Sequence, residues 1–172
     1  HGHSHPYIAK KLSDQACTLE HVAFGGFTHP SAVQLSERLV KILPQKIEKL
    51  FFSDNGSTAN EVALKMSIQY WFNKGEERNR FISLKGDYHG DTFGSMSLTA
   101  RGGFNEPFER FMFDVDFIDI PTEKNRKEIL KKFEALLKTN DIAAFIFEPI
   151  VQGAGGMIMH SPEVLSELIA LC

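Results

Sequence analysis

The stretch SDNGSTANEVALKM, residues 53–66, decides the fold. It joins the apolar run Leu50–Phe52 to a long amphipathic segment through a turn of small polar residues. The Asn55–Gly56 pair permits the left-handed backbone of a tight turn, and Ser57 or Thr58 is suited to cap the helix that follows. The start of such a helix presents unpaired N–H groups and the positive end of the helix dipole, which favour a phosphate. The pattern predicts a strand, a turn and a helix, joined either at an anion site or by an ordinary well-capped turn.

The rest of the chain alternates apolar runs with amphipathic segments, which predicts an α/β fold. We expect a mainly parallel sheet covered by helices on both faces, with ligands bound at the carboxyl ends of its strands. Predicted strands are Lys49–Ser53, Arg80–Leu84 and Ile142–Phe147, the last buried on both sides, and Phe113–Ile120 is a mixed strand and loop. Predicted helices cover residues 6–18, 30–43, 57–73, 91–99, 124–138 and 162–171.

Spacing within the helices predicts which side chains are buried and which cap the ends. Asp91 is a good N-cap for its short helix, and Ser161 caps the last one. Glu61 and Lys65 are four residues apart and are expected to form an ion pair on the helix surface. The predicted buried face of the helix over residues 57–73 consists of Ala59, Val62, Ala63, Met66 and Tyr70.

Composition is that of one substantial globular unit. The chain has 172 residues, 42% of them hydrophobic, with 15 Phe to build a core. A net charge of -3 gives no reason to expect a nucleic-acid or anionic-membrane partner. The two cysteines, Cys17 and Cys172, form no spaced framework, so we expect reduced thiols in the cytoplasm.

Three further motifs accompany the residue 53–66 stretch. They are FGGFTH at residues 24–29, GDYHGDTFG at residues 86–94 and FEPIVQGAGG at residues 147–156. In this order and spacing, the four segments resemble the class III pyridoxal-phosphate-dependent aminotransferases, which have the fold-type I architecture. The resemblance covers nearly the whole chain, and within the class it is strongest to the branch that serves biotin synthesis.

The resemblance implies a pyridoxal phosphate site. Gly56 and Ser57, with Thr58 beside them, match the residues that bind the cofactor phosphate. Tyr88 matches the tyrosine that stacks on the pyridine ring and touches substrate, and His89 completes that motif. From the residues alone, a core tyrosine near the surface is the ordinary explanation of Tyr88.

The two acidic candidates keep two explanations each. The resemblance places Glu148 beneath the cofactor, although a satisfied structural carboxylate at the end of a buried strand explains it as well. Asp91 is a candidate to face the substrate amine, with helix capping as the alternative. Several class III relatives carry a glutamate after the Gln-Gly of the last motif. Here that position is Ala154, which argues against an ornithine-type or 4-aminobutyrate-type enzyme.

The implied reaction moves an amino group from S-adenosylmethionine to 8-amino-7-oxononanoate and gives 7,8-diaminononanoate. A lysine-using variant would share the same motifs. Other possibilities are another class III ω-aminotransferase and a non-catalytic phosphate-binding or scaffold protein. No metal is expected, because alternating His1, His3 and His5 fit the approach to a helix better than a metal site.

We expect the chain to be an internal fragment of a longer homodimeric enzyme. Residues 1–45 would lead into the large domain, and residues 46–172 would form the N-terminal part of the cofactor-binding domain. The catalytic Schiff-base lysine is expected beyond Cys172, so no catalytic residue is assigned within this chain. The segment at residues 24–29 resembles the part of the family that lies near the dimer interface.

Overall fold

The computed structural model describes residues 1–172 and divides them into two compact units, His1–Phe51 and Phe52–Cys172. The first unit contains helices α1 (Pro6–Ala16) and α2 (Pro30–Ile42). Each begins with a proline, whose fixed φ suits the first helical turn. Neither helix has a fully buried residue. The predicted domain boundary at residues 45/46 stays a prediction.

The second unit is built on a three-stranded sheet in the order β2-β1-β3. The central strand β1 (Arg80–Leu84) pairs in parallel with β2 (Asp116–Ile118) and with β3 (Ile142–Phe145). The predicted parallel sheet is therefore confirmed. β3 lies at one edge of this sheet. Its side chains pack against the cores on both faces, as expected, but only Ile142 is buried and the other three residues are half-buried.

Helices and short elements complete the second unit. The predicted helices recur as α3, α4, α5 and α6 with slightly shifted ends, whereas a 3-10 helix over Glu106–Phe111 and a two-stranded antiparallel hairpin were not predicted. The bounds are α3 Gly56–Asn73, α4 Phe93–Leu98, α5 Arg126–Leu137, β4 Val151–Gln152, β5 Ile158–Met159 and α6 Pro162–Leu171.

The sheet is covered on both faces, as the alternating pattern predicted. In β1, Ile82 and Leu84 point into a core formed with α5 and α6, where Phe133 and Leu168 are completely buried. Phe81 points to the opposite face and packs with Leu64 of α3 and Leu98 of α4. Side chains alternate across a strand, so one short strand supports both cores.

No strand forms at residues 49–53, so that prediction was wrong. A short apolar run becomes a strand only where another strand offers ladder hydrogen bonds. The sheet of β2, β1 and β3 contains no such neighbour for it, and the Phe51 side chain is exposed.

The predicted buried face of α3 was also wrong. Ala59 and Ala63 are exposed, and Met66 and Tyr70 are about half exposed. The only fully buried residue of the helix is Leu64. The inward side carries polar side chains that bond the neighbouring loops, and hydrophobic periodicity does not detect these contacts.

Glu61 shows how this polar side works. Its carboxylate accepts hydrogen bonds from Gly94 N–H (2.8 Å) and Ser95 N–H (3.3 Å) at the start of α4. These N–H groups are therefore satisfied by α3, and the N-cap position of α4 is Thr92. The predicted capping role of Asp91 and the predicted Glu61–Lys65 ion pair were both wrong. The predicted Ser161 cap of α6 is confirmed.

No helix in residues 1–172 combines the length and the apolar character needed to cross a membrane.

The core around α5 gives the first prediction. Phe133 is fully buried, with its ring 5.0 Å from that of Phe145. Phe133→Ala removes this packing and leaves a cavity, so we expect the free energy of unfolding to fall by about 3–5 kcal/mol. Phe72→Ala is the control, because Phe72 is 75% exposed and its truncation should change little. Equal losses in urea denaturation of the two variants would contradict the assigned core.

Candidate functional site

Two loops meet at the carboxyl edge of the sheet and exchange hydrogen bonds. The loop after β1 contains Asp87 and Tyr88, the loop after β3 contains Glu148, and Gly153 directly follows β4. The Asp87 carboxylate accepts from Glu148 N–H at 3.0 Å. In return, the Glu148 carboxylate accepts from Tyr88 N–H and from Gly153 N–H, both at 2.9 Å. Each carboxylate therefore holds the backbone of the other loop.

Asp87 is the buried member of this exchange. The residue is only 1% exposed, and its carboxylate has no lysine or arginine partner. Oδ1 accepts from Gln152 Nε2 at 2.7 Å, and His89 Nε2 lies 3.5 Å from Oδ2, the oxygen that accepts from Glu148 N–H. Because a buried carboxylate without donors is costly, these donors keep it in place.

His89 points into the protein, behind the loop. Its Nε2 lies 3.2 Å from Ser83 Oγ on β1, and the residue is buried. Its backbone is held on both sides: its N–H donates to Thr99 Oγ1 at 3.1 Å, and its carbonyl accepts from Asn60 Nδ2 at 2.6 Å. The cofactor contact predicted for His89 stays a prediction, and the structure gives the side chain a supporting place behind Tyr88.

Tyr88 itself turns outward. Its side chain is 43% exposed, which rules out the core-tyrosine alternative. Its hydroxyl donates to Asp91 Oδ2 at 2.9 Å, and this hydrogen bond raises the pKa of the phenol, with a smaller contribution from burial. Asp91 is therefore neither a helix cap nor free, and it fixes the direction of the Tyr88 hydroxyl.

The start of α3 lies beside Asp91. Its N-cap is Asn55, whose Oδ1 accepts from Thr58 N–H at 3.0 Å while Thr58 Oγ1 accepts from Asn55 N–H at 3.3 Å. The N-cap is therefore Asn55 and not Ser57 or Thr58, although Thr58 takes part as the N3 member of this capping box. Within these 172 residues, the N–H groups of Gly56 and Ser57 have no hydrogen-bond acceptor. Two donors are thus left at the positive end of an 18-residue helix.

Gly90 brings the Tyr88 loop against this helix start. It has φ +128°, and a Cβ placed there would lie 2.1 Å from Ser57 Oγ. The next residue, Asp91, donates its N–H to the same Ser57 Oγ at 3.2 Å. Only glycine fits at this position, because its backbone conformation and the close approach both exclude a side chain.

Tyr88 and Asp91 border a cleft of about 700 Å³. Ala154 and Gly155, in the turn between β4 and β5, also line it. The apolar lining comprises Phe93, Met96, Phe104 and Phe108. A mainly apolar lining with a few polar groups is typical of small-molecule sites.

Sequence reasoning missed most of the side chains that support this cleft. Asp87 and Gln152 stand within the quoted motifs but received no role. An acidic residue directly after a buried strand was the available signal, since a carboxylate there requires partners. No local signal marks Asn60, Ser83 or Glu61, whose partners are distant in sequence.

Comparison with known proteins assigns the family. Residues 1–172 match the family described as Aminotransferase class-III, and the chain belongs to this family. It is 48% identical over 178 residues to the adenosylmethionine-8-amino-7-oxononanoate aminotransferase of Synechococcus elongatus, covering 99% of this chain and 42% of that protein. The protein of the same name from Mycobacterium leprae is 38% identical, with 100% and 40% covered.

Solved structures have the same fold. The crystal structure of adenosylmethionine-8-amino-7-oxononanoate aminotransferase from Methanocaldococcus jannaschii superimposes with a TM-score of 0.91 at 30% identity, over 99% of this chain and 39% of that one. An amine transaminase from an uncultivated Pseudomonas species, in its PLP-bound form, gives 0.90 at 32% identity, over 99% and 42%. The fold is thus part of the fold-type I architecture, and the chain spans about two fifths of these relatives.

The reciprocal exchange gives the second prediction. In Glu148→Gln, one carboxylate oxygen becomes an NH₂ group that faces Tyr88 N–H or Gly153 N–H. One donor then loses its acceptor, and we expect a loss of roughly 1–3 kcal/mol in stability. Thermal denaturation measures it, with Glu134→Gln on the exposed side of α5 as the control. A Glu148→Gln protein as stable as the control would show that the exchange does not hold the loops.

Proposed function

We propose that this protein acts as a pyridoxal-phosphate-dependent aminotransferase of biotin synthesis. It takes an amino group from S-adenosylmethionine and passes it to 8-amino-7-oxononanoate, giving 7,8-diaminononanoate. Family membership and the printed names of the relatives support this reaction. The observation that carries it is the pair of unpaired N–H groups at Gly56 and Ser57, close to an outward-facing Tyr88.

The residues present fit pyridoxal phosphate. Gly56 N–H and Ser57 N–H would hold the phosphate at the positive end of α3, where an anion is favoured. The absence of a side chain at Gly90 lets the Tyr88 loop pack directly against Ser57, which places Tyr88 beside the start of α3. The exposed Tyr88 ring is available for stacking on a heterocycle, which contributes about 0.5–1.5 kcal/mol beyond burial.

When bound, the cofactor supplies a ring that withdraws electrons from the substrate carbon. The residues of this chain bind and orient. Asp91 holds the Tyr88 hydroxyl, so the phenol presents a fixed hydrogen-bonding group to the cleft. Glu148 accepts a hydrogen bond from Tyr88 N–H and so fixes the position of the Tyr88 ring. The apolar side chains that line the cleft suit an aliphatic substrate chain.

The Schiff-base lysine stays a prediction outside these 172 residues. Lys65 on α3 is exposed and does not line the cleft, so it remains a poor candidate. The homodimer and the cytoplasmic location are likewise proposals that rest on the family. An ω-aminotransferase with another acceptor is the second candidate, because the amine transaminase has nearly the same fold.

Gly90 provides a test of the phosphate site. Gly90→Ala places a methyl group on Ser57 Oγ and strains the backbone, so we expect the affinity for pyridoxal phosphate to fall about tenfold or more. Gly103→Ala is the control, because nothing lies within 4 Å of a Cβ there. Fluorescence titration of the intact protein with pyridoxal phosphate and with pyridoxal separates the phosphate contribution. Equal losses for both ligands would contradict a phosphate at α3.

The reaction is tested by single turnovers of the intact protein loaded with pyridoxal phosphate. We expect S-adenosylmethionine to convert the bound cofactor to pyridoxamine phosphate, and 8-amino-7-oxononanoate to reverse the conversion. Absorbance spectra follow both steps. If lysine converts the cofactor and S-adenosylmethionine does not, lysine is the amino donor. Failure of 8-amino-7-oxononanoate to restore the cofactor, where other ketones succeed, would favour the ω-aminotransferase.

A further inference from the structure

The carboxylate of Asp87 is not explained by cofactor binding or by the fold alone. It is almost completely buried, and α3, α5 and α6 bring no lysine or arginine to it. Its donors come instead from the loop after β3 and from β4, through Glu148 N–H and Gln152 Nε2. A structural residue at this place would be simpler as an apolar side chain, since a buried charge is expensive.

Gln152 is equally unusual. Its side chain is fully buried, and its Nε2 donates both to Asp87 Oδ1 and to the Lys85 carbonyl, each at 2.7 Å. Both neighbours are acceptors, so the amide orientation is fixed. Its Oε1 has no hydrogen-bond partner. Gln152 therefore supplies two hydrogen bonds to the loop after β1, while its own amide oxygen has no partner among these residues.

Tyr88 lies between two residues, Asp87 and His89, that hydrogen bonds hold in place. On one side its neighbour Asp87 is held by Gln152 and Glu148 N–H, and on the other side His89 is held by Ser83 and Asn60. We propose that Asp87 and Gln152 form a positioning pair that sets the orientation of Tyr88, so that its hydroxyl meets Asp91. The pair acts through Tyr88 and touches neither substrate nor cofactor. The proposal deepens the proposed function, since it concerns the same site.

A positioning role for this pair predicts a change at the Tyr88 phenol that a purely structural role would not produce. In Asp87→Asn, the amide has only one oxygen for two donors, so either Gln152 or Glu148 N–H loses its acceptor. The Tyr88 backbone then moves, and the hydrogen bond from Tyr88 to Asp91 lengthens. This hydrogen bond raises the pKa of the phenol, so its loss lowers that pKa toward the ordinary tyrosine value.

The first experiment measures this titration in the intact, cofactor-free protein. 3-Fluorotyrosine is incorporated, and the ¹⁹F resonance of residue 88 is assigned by its absence in Tyr88→Phe. We expect Asp87→Asn and Gln152→Met each to lower the pKa of the residue 88 phenol. Gln152→Met also covers the case in which Asp87→Asn fails to fold. Asp141→Asn is the control, because Asp141 bonds Arg80 at the opposite end of the same sheet.

The second experiment is a double-mutant cycle on the rate of the first half-reaction. Asp87→Asn should slow the wild-type protein about tenfold but should change the rate of Tyr88→Phe by less than about twofold. Additive effects together with an unchanged phenol pKa in Asp87→Asn and Gln152→Met would overturn the proposal. If the intact protein fails to transaminate at all, the proposed function falls, whereas the titration still decides whether the pair positions Tyr88.

Discussion

The carboxylate of Asp87 is the group on which the site depends, because a buried charge must find donors. Its donors come from Glu148 N–H and Gln152, more than 60 residues further along the chain. The hydrogen bonds that these donors make to the Asp87 carboxylate therefore hold the loop after β3 against the loop after β1. Glu148 completes the contact by accepting a hydrogen bond from Tyr88 N–H. The need of the buried Asp87 carboxylate for donors therefore also fixes the position of the outward-facing Tyr88 ring.

The sheet places these loops together before any side chain contributes. β1 and β3 run in parallel, so both end at the same edge. The start of α3 lies at the same edge, where Ser57 Oγ accepts a hydrogen bond from Asp91 N–H. The cleft, the helix start and Tyr88 are thus held by one hydrogen-bonded network in which backbone groups are the main donors. Such a network is stiff, which suits a site that must orient a ligand.

The sequence predicted the parts of this arrangement that depend on local pattern. β1, α5, α6 and the parallel sheet follow from periodicity. The motifs singled out Tyr88 and Glu148, whose cofactor contacts stay predictions. Periodicity failed for α3, because its inward side is polar and Glu61 and Asn60 bond other loops. It also failed at residues 49–53, where no partner strand exists among these residues. Contacts between distant residues, such as Asp87 with Gln152, leave no local trace, so only the fold reveals them.

A crystal structure of the intact protein with pyridoxal phosphate tests the central claim most directly. The account predicts the phosphate on Gly56 N–H and Ser57 N–H, the Tyr88 ring against the pyridine, and Glu148 still accepting from Tyr88 N–H. A phosphate bound elsewhere, or a Tyr88 loop released from Glu148 and Asp87 when the cofactor is bound, would contradict it.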